Sequence, residues 1–234
     1  MKIIHKIKKN LIRFNAKVSD KLFKTTKFDL YQRRYSKIYE NNYKLTKNQF
    51  SFVHIPRTGG TSLHSLLLEN RKDFYGGIHS AVSLLCNPKE FKYITVIREP
   101  IERVYSFYLM QKKYKKLPFN VHAEKGLEFF LKNVWNCRNG ICKFINGNIK
   151  NEVNEELYKI SIENMKNFYF VLDFENFNRD VDVLSSKLNI KNKIQYTNNY
   201  KTTKENFSKE NKELIKKYNL YDSQLYDEYR KYDY

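Results

Sequence analysis

The feature that most constrains this chain is a change of hydrophobic period around Pro56. Phe50-Ser51-Phe52-Val53-His54-Ile55 is a short β-prone run that ends at Pro56 and the turn-forming pair Gly59-Gly60. Leu63, Leu66 and Leu67 then recur at helical spacing. The same sequence of events follows twice. Tyr93-Ile94-Thr95-Val96-Ile97 closes at Arg98-Glu99-Pro100, and Ile101, Val104, Tyr105 and Tyr108 mark a helix with Pro100 suited to its first turn. Phe168-Tyr169-Phe170-Val171-Leu172 precedes a helix through Val181, Val183, Leu184 and Leu188. Strands alternating with helices predict an α/β fold whose parallel sheet is covered on both faces. Helical patterns fill 123–134 and 152–166, and two closing helices run through Leu214, Ile215 and Tyr218 and through Leu225 and Tyr229. No fixed-period repeat or low-complexity linker divides the chain after residue 50, so one domain is expected over 50–234, behind a basic extension over 1–49.

That extension holds 14 Lys+Arg against 3 Asp+Glu, over half the excess charge of a 234-residue chain whose formal net charge is +19. Ile4, Ile7, Leu11, Phe14, Val18 and Leu22 recur within it at three- and four-residue steps, predicting a basic amphipathic helix. Two readings stay open for residues 1–22: peripheral contact with a membrane surface, or docking on the domain with the lysines solvated. Lysines interrupt every apolar stretch of the first ten residues, so neither a secretory signal nor a membrane span is expected. Three cysteines, Cys86, Cys137 and Cys142, are too few and too odd for a secreted disulfide framework. The Cys-x4-Cys spacing lacks a partnering pair for zinc, so packing residues or free thiols are expected. The setting these features predict is cytoplasmic, with peripheral contact at the inner face of the membrane left open. A field of this sign attracts anions in general, whether nucleotides, anionic glycans, nucleic acid or lipid.

The first strand-to-helix junction, His54-Ile55-Pro56-Arg57-Thr58-Gly59-Gly60-Thr61-Ser62, has the ingredients of an anion site. Backbone N–H groups at such a turn form a concave nest, and the helix N-terminus adds its dipole. Thr61 and Ser62 carry hydroxyl donors, and Arg57 adds a cation. It differs from the nucleoside-triphosphate loop G-x-x-x-x-G-K-[ST], because here the cation precedes the glycines. The plainer alternative is a turn whose glycines serve geometry alone. At the second junction Arg98 falls at the carboxyl edge of the sheet, where open α/β folds hold ligands, and its guanidinium fork suits a phosphate. Ser106 lies two helical turns further on, able to face the same pocket. Arg103 reads equally well as a ligand contact or a structural ion-pair partner.

Together, H-I-P-[KR]-T-G-G-T-S and, some forty residues later, R-E-P-x-x-R-x-x-S-x-Y resemble the carbohydrate sulfotransferases that use 3′-phosphoadenosine-5′-phosphosulfate (PAPS), relatives of heparan sulfate 2-O-sulfotransferase. The resemblance spans about residues 50–231. It implies a P-loop-like three-layer fold, a central parallel sheet flanked by helices, plus C-terminal helices. It also implies that Arg57, Thr58, Gly59, Gly60, Thr61 and Ser62 hold the 5′-phosphosulfate while Arg98 and Ser106 hold the 3′-phosphate. Phe74-Tyr75-Gly76-Gly77-Ile78-His79-Ser80 is similar to the family segment presenting a catalytic histidine, which makes His79 the general base. Asn199-Tyr200-Lys201-Thr202-Thr203 resembles a basic loop that closes over the nucleotide, carrying Lys201 and Thr202 to the donor. Relatives usually have Lys where this chain has Arg57, which would act catalytically on the leaving phosphate as well as binding it. No metal is required by this scheme. His54 and His64 are expected to pack.

The acceptor implied is a sugar hydroxyl of an anionic glycan or glycolipid of the cell envelope or capsule, with a flavonoid, lipid or peptide hydroxyl left open. Two competing readings are a nucleotide-dependent kinase, which lacks its Walker lysine here, and a basic nucleic-acid-binding module with tyrosines stacking on bases. Under the sulfotransferase reading no nucleic-acid partner is expected.

Overall fold

The three apolar runs form strands, and a fourth, two-residue strand joins them. In a computed structural model, residues 50–70, 74–75, 81, 91–190 and 207–232 are described, all within the unit Thr46–Tyr234. Strand β1 (Phe50–Val53) leads to helix α1 (Gly60–Asn70), β2 (Phe74–Tyr75) and β3 (Lys92–Ile97). Helices α2 (Pro100–Lys113), α3 (Asn120–Glu124), α4 (Leu127–Asn133), α5 (Gly140–Asn146) and α6 (Glu155–Lys166) follow, with a 3-10 turn at Trp135–Cys137. Then come β4 (Phe170–Asp173), a second 3-10 turn at Phe174–Asn176, and helices α7 (Phe177–Lys187), α8 (Lys209–Tyr218) and α9 (Leu220–Tyr232). The expected helix over residues 1–22 lies outside the described residues.

The sheet has the order β2-β1-β3-β4, and every neighbouring pair is parallel. Val53 stands opposite Thr95 and Ile97 opposite Asp173, so β3 and β4 end level and β1 stops two residues short of them at the same carboxyl edge. Alternation along each strand divides the side chains between two faces. Phe50, Phe52, Ile94, Val96 and Leu172 pack on one face against Leu63, Leu66 and Leu67 of α1 and Val181 and Leu184 of α7. Each of these fully buried side chains contributes roughly 1.5–3 kcal/mol of burial free energy. On the other face Val53, Tyr93, Thr95 and Ile97 are equally buried. There α9 is tied to the sheet by Tyr229, whose hydroxyl donates to the Val171 carbonyl at 3.0 Å, and by Tyr226, whose hydroxyl donates to Asp173 at 3.2 Å. The result is the three-layer α/β arrangement expected from the alternation.

The differences from the sequence reading have local causes. β1 stops at Val53 rather than Ile55, because the Thr58 hydroxyl takes the Ile55 carbonyl at 2.9 Å and bends the chain into the turn. The single pattern over 123–134 becomes α3 and α4, separated by Gly126 at φ 100°, ψ 167°. Val183, grouped with the apolar stripe of its helix, is exposed. Pro100 does open α2, capped by Glu99, whose carboxylate accepts from the Ile101 and Glu102 amides at 3.1 and 2.7 Å. Burial pushes the Glu99 carboxyl above its ordinary value, outweighing those two hydrogen bonds. No helix among the described residues is long and apolar enough to cross a membrane.

Candidate functional site

Because β1 and β3 are adjacent and parallel, the two segments that follow them leave the sheet side by side. The turn after β1 is tightly specified. Thr58 is buried and its hydroxyl pins the turn from inside. Gly59 has φ +83°, a conformation that favours glycine. Gly60 sits directly over the buried His54 ring, where a Cβ would lie 2.5 Å from Cδ2. The helix therefore begins as close to the strand as atoms allow, and Thr61 and Ser62 occupy its first turn, Thr61 exposed and Ser62 half-buried. An amide-lined, dipole-favoured position for an anion results at the head of an eleven-residue helix.

Arg57 is the non-glycine residue of this turn with left-handed backbone, at φ +69°. Its guanidinium reaches across to α2: Nε and Nη2 donate to Ser106 Oγ at 3.1 and 2.9 Å, and Nη1 approaches Met110 Sδ at 3.3 Å. Arg98, only 6% exposed, follows β3 directly. Its Nη1 is 3.4 Å from the Arg57 carbonyl oxygen and its Nη2 3.3 Å from Glu102 Oε2, one helical turn on. The guanidinium lies over the Phe174 ring, 4.4 Å from its centroid. Ser106 is buried on the face of α2 that meets Arg57.

Thus Arg57, Thr58, Gly59, Gly60, Thr61, Ser62, Arg98 and Ser106 meet at one carboxyl edge. Two guanidiniums, a serine hydroxyl and a helix N-terminus converge there, with Glu102 as a partial counter-charge. Such a set is able to hold two anionic groups, one against the helix head and one against the arginines. Thr58 enters as a pin for the loop, since its hydroxyl hydrogen is committed to Ile55. His79, Lys201 and Thr202 lie outside the described residues.

Three contributors were missed by sequence reasoning: Met110, Glu102 and above all Phe174. The available signal for Phe174 was positional. It follows β4 at the same edge of the sheet, where a residue next to a strand end belongs among the site candidates. Arg103, left ambiguous, is fully buried and paired with Asp222 at 3.6 Å, its Nη2 also donating to the Asn136 carbonyl at 3.0 Å. It is structural. His54 packs as expected, 5.3 Å from Phe52 between ring centroids. Cys137 and Cys142 are free, buried thiols. Burial pushes the Cys137 thiol up to about 12 and raises Cys142 well above its ordinary value.

What the fold and the contacts define is an α/β protein in which two cationic segments meet at the carboxyl edge of a parallel sheet. The chain matches no family model, and no curated protein matches it.

Proposed function

We propose that this protein is a PAPS-dependent O-sulfotransferase acting on a hydroxyl of an anionic envelope or capsular glycan or glycolipid. The observation that carries the reading is the contact between the two cationic segments: Arg57 on Ser106 at 2.9 and 3.1 Å, with Arg98 against the Arg57 carbonyl. A donor bearing phosphates at both ends of one adenosine requires two anion cradles that are close, distinct and on the same side of the sheet. A P-loop-like use of the β1–α1 junction puts the 5′-phosphosulfate over Gly59, Gly60, Thr61 and Ser62, and the 3′-phosphate between Arg98 and Ser106.

In the reaction the acceptor hydroxyl oxygen forms a bond to sulfur as the bond from sulfur to the bridging phosphate oxygen breaks. The hydroxyl proton passes to His79. Adenosine 3′,5′-bisphosphate leaves, its growing negative charge met by Arg57 and the amides at the head of α1. Holding donor and acceptor in line is the main contribution of a rigid turn built on buried Thr58 and His54. The excess of Lys and Arg favours approach of a polyanionic acceptor, and the expected setting is cytoplasmic, with peripheral membrane contact through residues 1–22 and docking on the domain both left open.

A transfer assay with labelled PAPS over a panel of capsular and envelope glycans tests the proposal. Label should move to at least one glycan, His79→Ala should abolish transfer, and the same variant should keep its affinity for adenosine 3′,5′-bisphosphate. Failure of wild-type protein to prefer that bisphosphate over adenosine 5′-monophosphate would end the proposal.

A further inference from the structure

We infer that Phe174 is a positioning residue that sets the spacing between the two halves of the anion site, an inference that rests on the donor reading above. Its ring touches both halves. The Arg98 guanidinium lies over it with Cζ 4.4 Å from the centroid. The same ring abuts the glycine turn so closely that a Cβ on Gly59 would come within 2.9 Å of Phe174 Cδ2 and Cε2.

Phe174 is itself held from below. It packs on the apolar core beneath α1 and α7. The residue before it, Asp173, ends β4 and is fixed by the Tyr226 hydroxyl and by the Glu175 amide, which donates to its carboxylate at 3.0 Å. The ring is therefore a rigid plate anchored to a third strand. The Arg57 carbonyl at 3.4 Å and Glu102 at 3.3 Å also hold the Arg98 fork, and the Phe174 face adds a contact that the glycine turn shares. Stacking on a fixed aromatic face holds a guanidinium in one plane at little conformational cost, and the attraction strengthens where water is scarce. The consequence is a preference for ligands carrying two anionic groups at the matching separation.

The test uses the full-length protein and two probes, adenosine 3′,5′-bisphosphate and adenosine 5′-monophosphate, titrated by calorimetry. Phe174→Leu keeps apolar volume but removes the aromatic face, and it should weaken bisphosphate binding about fivefold to thirtyfold, with the monophosphate nearly unaffected. Phe174→Tyr restores the face and should restore the preference. In an Arg98→Ala background, Phe174→Leu should cause no further loss. Unchanged bisphosphate affinity in Phe174→Leu, or equal losses for both probes, would overturn the positioning role while leaving the donor reading intact. Wild-type protein without preference for the bisphosphate would overturn the donor reading itself, and this inference with it.

Discussion

At the scale of single residues, Arg57 combines an unfavourable backbone with a long reach. A left-handed conformation costs an L side chain roughly 1–2 kcal/mol relative to glycine, and such strain concentrates at functional sites. At φ +69°, Arg57→Gly should therefore be more stable than Arg57→Ala by about 1–2 kcal/mol, as read from urea midpoints. Both variants should lose bisphosphate binding alike, since both remove the guanidinium. The types and spacing of Arg57, Arg98 and Ser106 were legible in the sequence because each follows a strand end or a helical repeat. Their mutual contact was not, since it depends on β1 and β3 being neighbours. Cys137 offers a second residue-scale test. Its buried thiol stays neutral to about 12, whereas its ordinary value is 9.0. Between these values the unfolded chain binds fewer protons than the folded one, so stability falls as pH rises, by up to about 1.4 kcal/mol per pH unit. Cys137→Ala should lose less stability than wild type between about pH 9 and 11. Parallel urea-unfolding curves against pH for the two proteins would contradict this.

At the scale of elements, α3 and α4 show how one glycine divides a helix. Apolar residues over 123–134 keep helical spacing across Gly126, which is why the sequence reads as one helix. The break comes from the Gly126 backbone, φ 100° and ψ 167°, a region essentially closed to other residues. Nothing lies within 4 Å of a Cβ built there, so substitution meets no steric neighbour and its cost is purely conformational. Gly126→Ala should destabilise by about 1–3 kcal/mol, measured by thermal or urea melts, without loss of bisphosphate affinity. Helix α5 was not legible at all. Its sequence Gly140-Ile141-Cys142-Lys143-Phe144-Ile145-Asn146 is buried along its whole length, and a short helix surrounded by protein carries no polar face from which a period can be read. Its packing instead requires Gly140, where a Cβ would lie 2.9 Å from Arg103 Nη2.

At the scale of the molecule, the parallel sheet was legible from strand–helix alternation, but the closure of the C-terminal helices onto its middle was not. That closure is a reciprocal exchange of helix caps between segments about eighty residues apart. Asp222 accepts from the Ile141 and Cys142 amides at 2.9 and 2.8 Å, while Asn139 accepts from the Tyr221 and Asp222 amides at 3.0 and 3.1 Å. Asn219 adds bonds from its side-chain amide to the Cys137 and Ile215 carbonyls. Sequence patterns carry no sign of such long-range polar pairing, because a buried Asp reads like any other polar residue between apolar ones. Arg103 joins α2, and with it Ser106, to this exchange through its ion pair with Asp222, both side chains fully buried. Burial raises the Asp222 carboxyl above its ordinary value, and the Arg103 charge and the two amides oppose that rise. Removing one partner of such a pair strands a charge in the interior, whereas removing both together does not. Asp222→Ala should cost about 3–5 kcal/mol, and Arg103→Met should cost a comparable amount. Arg103→Met with Asp222→Ala should cost markedly less than the two single losses added, the shortfall appearing as a coupling energy in a double-mutant cycle followed by urea unfolding. Additive losses would mean that the two charges act independently, and that α2 is held against the C-terminal helices by apolar packing alone.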